Sequence, residues 1–432
     1  MQTEKKNFPS YRRECGWNAL LPAQQRAPAL EDDTSCDVAI VGAGYTGVAA
    51  ARRWAALAPG DDVLLLDAHA PAEGNPGRNS GFLLEIALAH DADSTAVARM
   101  RRCNALLGAT MADMVADVAA SGVDDRLVRR GSYRAAAGER GRRALDGYRR
   151  FLDALELPGE ALDAEALAER IGTRFYRAGL YSPHCWLAQP AALIRALLTR
   201  LPASVRYHED TPVLGVEPAG NGFLLRTPRA RVRARRVVLA NNAFAKSLGI
   251  GRERLVAMYT YAGLTAPLPH EQLRHCGSDN EWGLLPAHRL GSTLRRTADG
   301  RLLIRSQYGY ERERDNAQVA GQLAAALARR FPALAPIDFA HCWHGETGNT
   351  RKAQQLWGEV APGLFVSAGC NGGGVVKGTL LGRLLAEEAH GGASEDVGAL
   401  FGRASWMPPE PARKLAFRLI AAWERRRAAP EV

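Results

Sequence analysis

The run Cys36-Asp37-Val38-Ala39-Ile40-Val41 passes directly into Gly42-Ala43-Gly44-Tyr45-Thr46-Gly47, and no other stretch of the chain restricts the fold so tightly. A short apolar run ending in glycine reads as a buried parallel strand. The Ala-rich segment Val48–Leu57, closed by Pro59-Gly60, reads as a helix, and Val63–Asp67 as a second apolar strand. Strand, glycine turn, helix and strand in that order make a βαβ unit. Gly42 permits the tight turn, Gly44 lets the backbone approach a pyrophosphate, and Gly47 lets the helix pack close to the strand. The helix N-terminus then offers free N–H groups and a partial positive charge to phosphates. Asp67 ends the second strand about 20 residues beyond Gly47, where an acid accepts hydrogen bonds from ribose hydroxyls. Together these features predict a dinucleotide site of a kind that both NAD and FAD use.

With 432 residues and 47% hydrophobic content, the chain has material for two or three domains around this unit. Residues 1–35 are polar and carry Pro9, Pro22 and Pro28, which predicts an extended arm. From Ala87 to about Arg170 the pattern is helical, interrupted by a strand over Gly131–Ala136. Pro190–Leu201 is a helix with proline in its first turn. Val205–Ala240 reads as short strands broken by turns, and Val256–Arg305 as antiparallel strands. A helix over Ala317–Phe331, strands over Phe339–His344 and Leu364–Ala368, and a helix over Thr379–Ala389 follow. Arg413–Arg427 reads as a basic amphipathic helix, either packed or dimer-facing, or lying on a membrane surface.

The formal net charge of +10 favours acidic partners. Lysine occurs only at 5, 6, 246, 352, 377 and 414, so the excess is arginine. It is spread along the chain, with dense runs only at Arg226–Arg236 and Arg425–Arg427, and does not demand a nucleic-acid surface. The seven cysteines form no C-x-x-C pair, which predicts neither a metal site nor a disulfide framework. No apolar run follows Lys5 and Lys6, and the apolar stretch Gly363–Gly382 is glycine-rich and holds Lys377. Neither a secretory signal nor a membrane span is expected, and the default is a cytoplasmic protein.

Residues 36–47 resemble the D-amino-acid oxidase-like flavoenzymes, in particular the glycine/sarcosine oxidase and gamma-glutamylputrescine oxidase branch. Those proteins follow the second strand with Gly-x-Ser-Gly-Arg-Asn-Gly-Gly. This chain has Gly74-Asn75-Pro76-Gly77-Arg78-Asn79-Ser80-Gly81, with Pro76, which lacks an N–H, in place of the serine. Val237-Val238-Leu239-Ala240-Asn241-Asn242-Ala243 resembles a further family strand, and Val213 stands where the family makes a backbone contact to adenine. Gly369-Cys370-Asn371-Gly372-Gly373-Gly374 resembles the Gly-x-Ser-Gly-His-Gly segment beside the flavin ring, with Asn371 and Gly373 replacing Ser and His. Its backbone N–H groups suit an electron-rich ring edge. The helix Lys377–Glu388 matches the segment that follows in the family.

The resemblance, spanning roughly 36–390, implies an α/β protein. A discontinuous Rossmann-like FAD-binding domain (36–90, 171–245 and 336–392) would join an antiparallel-sheet α+β substrate domain (91–170 and 246–335). The arm 1–35 precedes them, and a helical tail 393–432 follows. FAD would be held without a covalent bond by Gly42–Gly47, by Asp67 and Ala68, and by Gly77, Arg78, Asn79 and Ser80. Val213, Ala240, Asn241, Gly369, Asn371–Gly374 and Lys377 complete that set. The implied reaction is oxidation of a C–N bond in an amine or amino acid, anionic ones included. Hydride passes to flavin, the imine hydrolyses in water, and the flavin is reoxidised by O2 or another acceptor.

Several residues are candidates for the chemistry. Tyr259 and Tyr261 fall two apart on one strand and share a face, to stack on a substrate or fill the core. One of Arg289, Arg295 and Arg305 could clamp a carboxylate. His344 and Glu346 could tune protonation or be structural. Cys342 lies where some relatives attach flavin covalently. Lys377 could bind a carboxylate or favour oxygen reduction, although relatives place this lysine one residue earlier. The alternatives are a dehydrogenase that delivers electrons at a membrane, a tRNA-modifying enzyme, and a specialised biosynthetic oxidoreductase; oligomeric state is left open.

Overall fold

The computed structural model describes residues 11, 13–123, 127–392, 394–428 and 431. Its elements run α1 (Gly16–Ala19), β1 (Thr34–Val41), α2 (Tyr45–Leu57), β2 (Val63–Leu66), α3 (Asn75–Arg78), β3 (Phe82–Leu84), α4 (Val97–Ser121), β4 (Leu127–Arg129), β5 (Ser132–Ala136), α5 (Glu139–Ala154), β6 (Glu160–Asp163), α6 (Ala164–Ile171), β7 (Ala178–Ser182), β8 (Cys185–Ala188), α7 (Pro190–Thr199) and β9 (Val205–His208). They continue with β10 (Gly215–Ala219), β11 (Gly222–Arg226), β12 (Arg231–Leu239), β13 (Val256–Leu264), α8 (His270–Leu273), β14 (Trp282–Pro286), β15 (Thr293–Arg296), β16 (Leu302–Tyr310), α9 (Asn316–Arg330), β17 (His341–Asn349), β18 (Leu356–Ala361), β19 (Leu364–Ala368), α10 (Val376–Ala389), α11 (Val397–Phe401) and α12 (Ala412–Arg427).

The first sheet has a parallel core. β1 pairs in parallel with β12 on one side and β2 on the other; β9 extends it beyond β2, and β19 beyond β12. β10, β11 and β18 add antiparallel pairings. Parallel strands covered on both faces should be apolar throughout. Val38–Ile40 and Val63–Leu65 are fully buried, as that rule demands. The loops after β1, β12 and β19 leave the same edge: the N–H of Gly42 donates to Leu66 O at 2.7 Å and that of Ala240 to Val41 O at 2.9 Å. In doubly wound folds this carboxyl edge is where ligands bind.

The second sheet runs β17-β13-β16-β15-β14-β5-β7-β6 and is antiparallel except where β14 meets β5. One face packs beneath α9, with Tyr261, Leu302 and Ile304 alongside Val319, Leu323 and Leu327. The other turns Ala262, Leu264, Leu303 and Trp343 toward the core of the cofactor unit. A third sheet, β3-β8-β4, joins the two.

Three expectations differ from the structure. β7 and β17 belong to the second sheet, although the ranges 171–245 and 336–392 were assigned to the cofactor unit. Periodicity identifies a short strand but not its partner. Residues 1–10 and 12 of the expected arm lie outside the described residues, and the described part is docked rather than extended: Cys15 and Trp17 are buried, and the Trp17 indole donates to Asn79 O at 2.9 Å. The helical stretch expected to reach Arg170 with one strand over Gly131–Ala136 has that strand as β5 but is broken also by β4 and β6.

Candidate functional site

The glycine turn takes the shape that its residues require. Gly42 has φ +103°, a region that side chains rarely enter, and a Cβ on Gly47 would stand 1.8 Å from Gly42 O. The start of α2 therefore presses directly on the end of β1. The Asp67 carboxylate accepts from the N–H of Ala43 at 2.7 Å and from that of His69 at 3.1 Å. Burial pushes its carboxyl above the usual range, and these two amides oppose the shift. Pro76 lies in the first turn of α3, where an N–H would have no helical partner, and its carbonyl accepts from Tyr45 Oη and Asn79 Nδ2.

A cleft opens over this edge. Of the residues expected to hold the cofactor, it is lined by Gly42, Gly44, Tyr45, Thr46, Asp67, Ala68, Asn79, Val213, Ala240, Asn241, Gly372–Gly374 and Lys377. Ala43, Gly47, Gly77, Arg78, Ser80, Gly369 and Asn371 support the wall without lining it. Arg78 is buried and structural: its guanidinium donates to Glu73 O, His344 O and Arg13 O and lies 3.8 Å from the centre of the Tyr11 ring. Asn371 Oδ1 accepts from Thr350 N, which ties the glycine loop to the end of β17. Three polar atoms in the lining, Tyr11 Oη, Asn241 Oδ1 and Glu346 Oε2, are buried without a hydrogen-bond partner among the described residues. Buried polar atoms of this kind call for a ligand donor, and a ribose or ribityl hydroxyl is one.

A second cavity, of about 390 Å³, shares Gly372–Val375 and Lys377 with this cleft. Phe82, Leu84, Ile86 and Leu285 form its apolar wall. Its polar groups are His90, Asp91, Asp93, Arg99, Lys352, Gln354 and Lys377. Lys377 Nζ lies 2.9 Å from Asp91 Oδ2, with the two side chains 5% and 19% exposed. The pair anchors a turn in which Asp91 N and Ala92 N both donate to Leu88 O. The Leu88 side chain rests on Gly373, at 2.1 Å from where a Cβ would be.

The remaining chemical candidates fall elsewhere. His344 is 1% exposed, with Nδ1 3.3 Å from Glu313 Oε1 and Nε2 3.3 Å from Glu346 Oε1. These are ion-pair distances without aligned hydrogen bonds. The rings of Tyr11, Tyr259 and Tyr261 surround it at 5.7, 5.5 and 6.2 Å. Burial, reinforced by Glu346, raises the Tyr11 and Tyr259 hydroxyls above the usual tyrosine range. His344, Tyr259 and Tyr261 line neither cavity, whereas Glu346 reaches the cofactor cleft. Cys342 also lines neither.

Of the three arginines, Arg289 pairs with Glu424 at 2.7 Å and Arg295 is buried against Glu281 at 3.3 Å and Ala188 O. Arg305 has no carboxylate at ion-pair distance among the described residues, and its guanidinium lies 5.8 Å from the Tyr308 ring. It sits opposite Ala262 and Thr293 and two residues beyond Leu303. Alternation puts it on the face turned toward the cofactor unit, but it lines neither cavity. Sequence reasoning missed Tyr11, Leu88 and Asp91, which carry no local motif. It also gave no role to Asn242, whose Oδ1 accepts from Gly369 N at 3.0 Å; its φ of +47° marks a special turn.

Residues 37–388 match the family described as DAO, FAD dependent oxidoreductase. The chain belongs to the DAO family of FAD-dependent oxidoreductases. Its cofactor is FAD, and the cleft fits it in the glycine turn, the Asp67 carboxylate and the three unpartnered oxygens. The chain is 25% identical to the probable oxidoreductase OrdL of Rhizobium meliloti, covering 88% of this chain and 89% of that protein. It is 26% identical to the gamma-glutamylputrescine oxidoreductase of Escherichia coli, over 86% and 88%. Among solved structures, glycine oxidase from Geobacillus kaustophilus superposes with a TM-score of 0.71 at 22% identity, over 86% of this chain and 98% of that one.

Proposed function

We propose that this DAO-family enzyme oxidises the C–N bond of a small amine or amino acid, and that the cavity beside Lys377 receives the substrate. The observation that carries the reading is the sharing of the Gly372–Val375 loop and Lys377 by the two cavities. A small molecule held in the second cavity lies against the same loop that walls the cofactor cleft. Its volume of about 390 Å³ suits such a substrate. When bound, FAD supplies the two-electron oxidation and is reoxidised afterwards by O2 or another acceptor. Relatives named for gamma-glutamylputrescine and for opines, and a structural neighbour named glycine oxidase, agree with an amine or amino-acid substrate.

The chain's own residues orient the substrate and control water. Phe82, Leu84, Ile86 and Leu285 provide a dry wall. Asp91 and Lys377 neutralise one another and hold the Leu88 turn against the glycine loop. Lys352, a cation of the cavity wall with no carboxylate at ion-pair distance among the described residues, holds a substrate carboxylate, and Arg305 lines neither cavity. The imine product leaves the cavity and hydrolyses in water. Cys342 lies outside both cavities, which supports non-covalent FAD.

The test is the visible absorbance of purified protein before and after anaerobic addition of a panel of amines and amino acids. Bleaching of the flavin bands by members of one chemical class supports the proposal and identifies the class. A retained flavin that none of the panel bleaches overturns it.

A further inference from the structure

Seven large hydrophobic side chains are exposed among the described residues, and five of them, Trp406, Leu415, Leu419, Ile420 and Trp423, lie in or just before α12. The helix is held to the protein by two polar side chains and one aromatic contact. Arg413 donates to Arg252 O and Leu255 O, Phe417 meets the Tyr310 ring at 4.8 Å, and Glu424 reaches Arg289 at 2.7 Å and His288 at 3.4 Å. These residues, four and seven positions apart, share one side of the helix and fasten it to the protein. Leu415 and Leu419, 60% and 64% exposed, point the other way. Trp423 flanks them and remains 49% exposed although Arg140 covers part of its ring.

Charge accompanies this outer stripe. Lys414, Arg418 and Arg425 fall within about 40° of one another around the helix axis, along one flank of the leucines. Together with Arg426 they have no carboxylate at ion-pair distance among the described residues, and the one acid of the helix, Glu424, is engaged inward. Packing this face on its copy would bring like charges together. A surface that is apolar beneath and negative at its rim satisfies both the stripe and its flank. We propose that α12 docks the protein on an anionic lipid bilayer, with Leu415, Leu419 and Trp423 entering the headgroup region and Lys414, Arg418 and Arg425 meeting lipid phosphates. The helix lies on the membrane: among the described residues no helix is long and apolar enough to cross one.

The test is co-sedimentation of the FAD-loaded full-length protein with phosphatidylcholine vesicles, with and without phosphatidylglycerol. Binding is expected only to the phosphatidylglycerol vesicles and is expected to weaken in high salt. The triple variant K414Q/R418Q/R425Q should lower the partition coefficient about a hundredfold, at about fivefold per charge. L415S/L419S should also lose binding, and both variants should keep the flavin absorbance and the mass of the parent. The proposal is overturned if the parent fails to bind phosphatidylglycerol vesicles, or if the variants bind as well as the parent. It is also overturned if light scattering shows a dimer that L415S/L419S converts to monomer, since the face would then be a contact between copies.

Discussion

Lys377 was singled out as a chemical residue because it follows the glycine loop in a chain that seldom uses lysine, and its partner changes what it should do. At 2.9 Å, and with an effective dielectric of about 20, the attraction between Lys377 and Asp91 is about 6 kcal/mol before desolvation. Removing one member of a fully buried pair costs about 3–5 kcal/mol, because the other charge is stranded. Asp91 keeps 19% of its side chain exposed, so water screens part of that loss and about 2–3 kcal/mol remains for Lys377→Met. Unfolding entropy near the midpoint is about 2.1 cal/mol/K per residue, or about 0.9 kcal/mol/K for 432 residues, so the midpoint should fall by about 3 °C.

A double-mutant cycle separates this positioning role from direct chemistry. Lys377→Met, Asp91→Asn and the double variant are compared by thermal melting and by anaerobic flavin reduction. If the pair serves to hold the Leu88 turn, both single variants should raise KM alike, and the double variant should recover about 2 kcal/mol relative to additivity. If Lys377 acts on the substrate or on oxygen itself, Asp91→Asn should leave turnover intact while Lys377→Met abolishes it. Additive losses in stability would refute the pairing argument outright.

Three further outcomes follow from the structure. Gly47→Ala places a methyl 1.8 Å from Gly42 O, and should cost about 3 kcal/mol by overpacking and strip FAD from the purified protein, read from the ratio of flavin to protein absorbance. Burial acts to raise Glu85, but hydrogen bonds from His184, Trp186 and Arg129 outweigh it and pull the carboxyl down to about 2. A depressed carboxylate contributes stability that is full above its ordinary value and lost as pH falls toward about 2. Denaturation midpoints from pH 5 downward should therefore decline less steeply in Glu85→Gln, and parallel curves would contradict the assignment. Lys352→Gln should raise KM for a carboxylate-bearing substrate about tenfold, the worth of about 1.5 kcal/mol for a charged hydrogen bond, while sparing an uncharged amine of the same size; an equal effect on both would remove Lys352 from the carboxylate site.

The half of the site that was legible in the sequence is the half whose chemistry is local. A pyrophosphate needs a turn without side chains at the start of a helix, and the residues that make it, Gly42 to Gly47, are contiguous. Ala240 and Gly372 join them because β12 and β19 are parallel neighbours of the same sheet, and such strands announce themselves as apolar runs. The substrate side has no contiguous signal. Its wall takes Phe82 from β3, Leu285 from β14, Lys352 from the loop after β17 and Lys377 from α10, brought together only by tertiary packing. Lys377 finds its partner 286 residues away. The sequence contains the lysine and the aspartate but not the distance between them, and that distance decides whether Lys377 is a free cation or a neutralised one. The same reasoning sorts the arginines. Arg289 and Arg295 look equivalent to Arg305 in the sequence, yet Glu424 and Glu281 occupy the first two. Arg305 keeps no carboxylate among the described residues but lines neither cavity; a clamp must be a cation in the wall whose counter-charge is still to come, and that combination falls to Lys352.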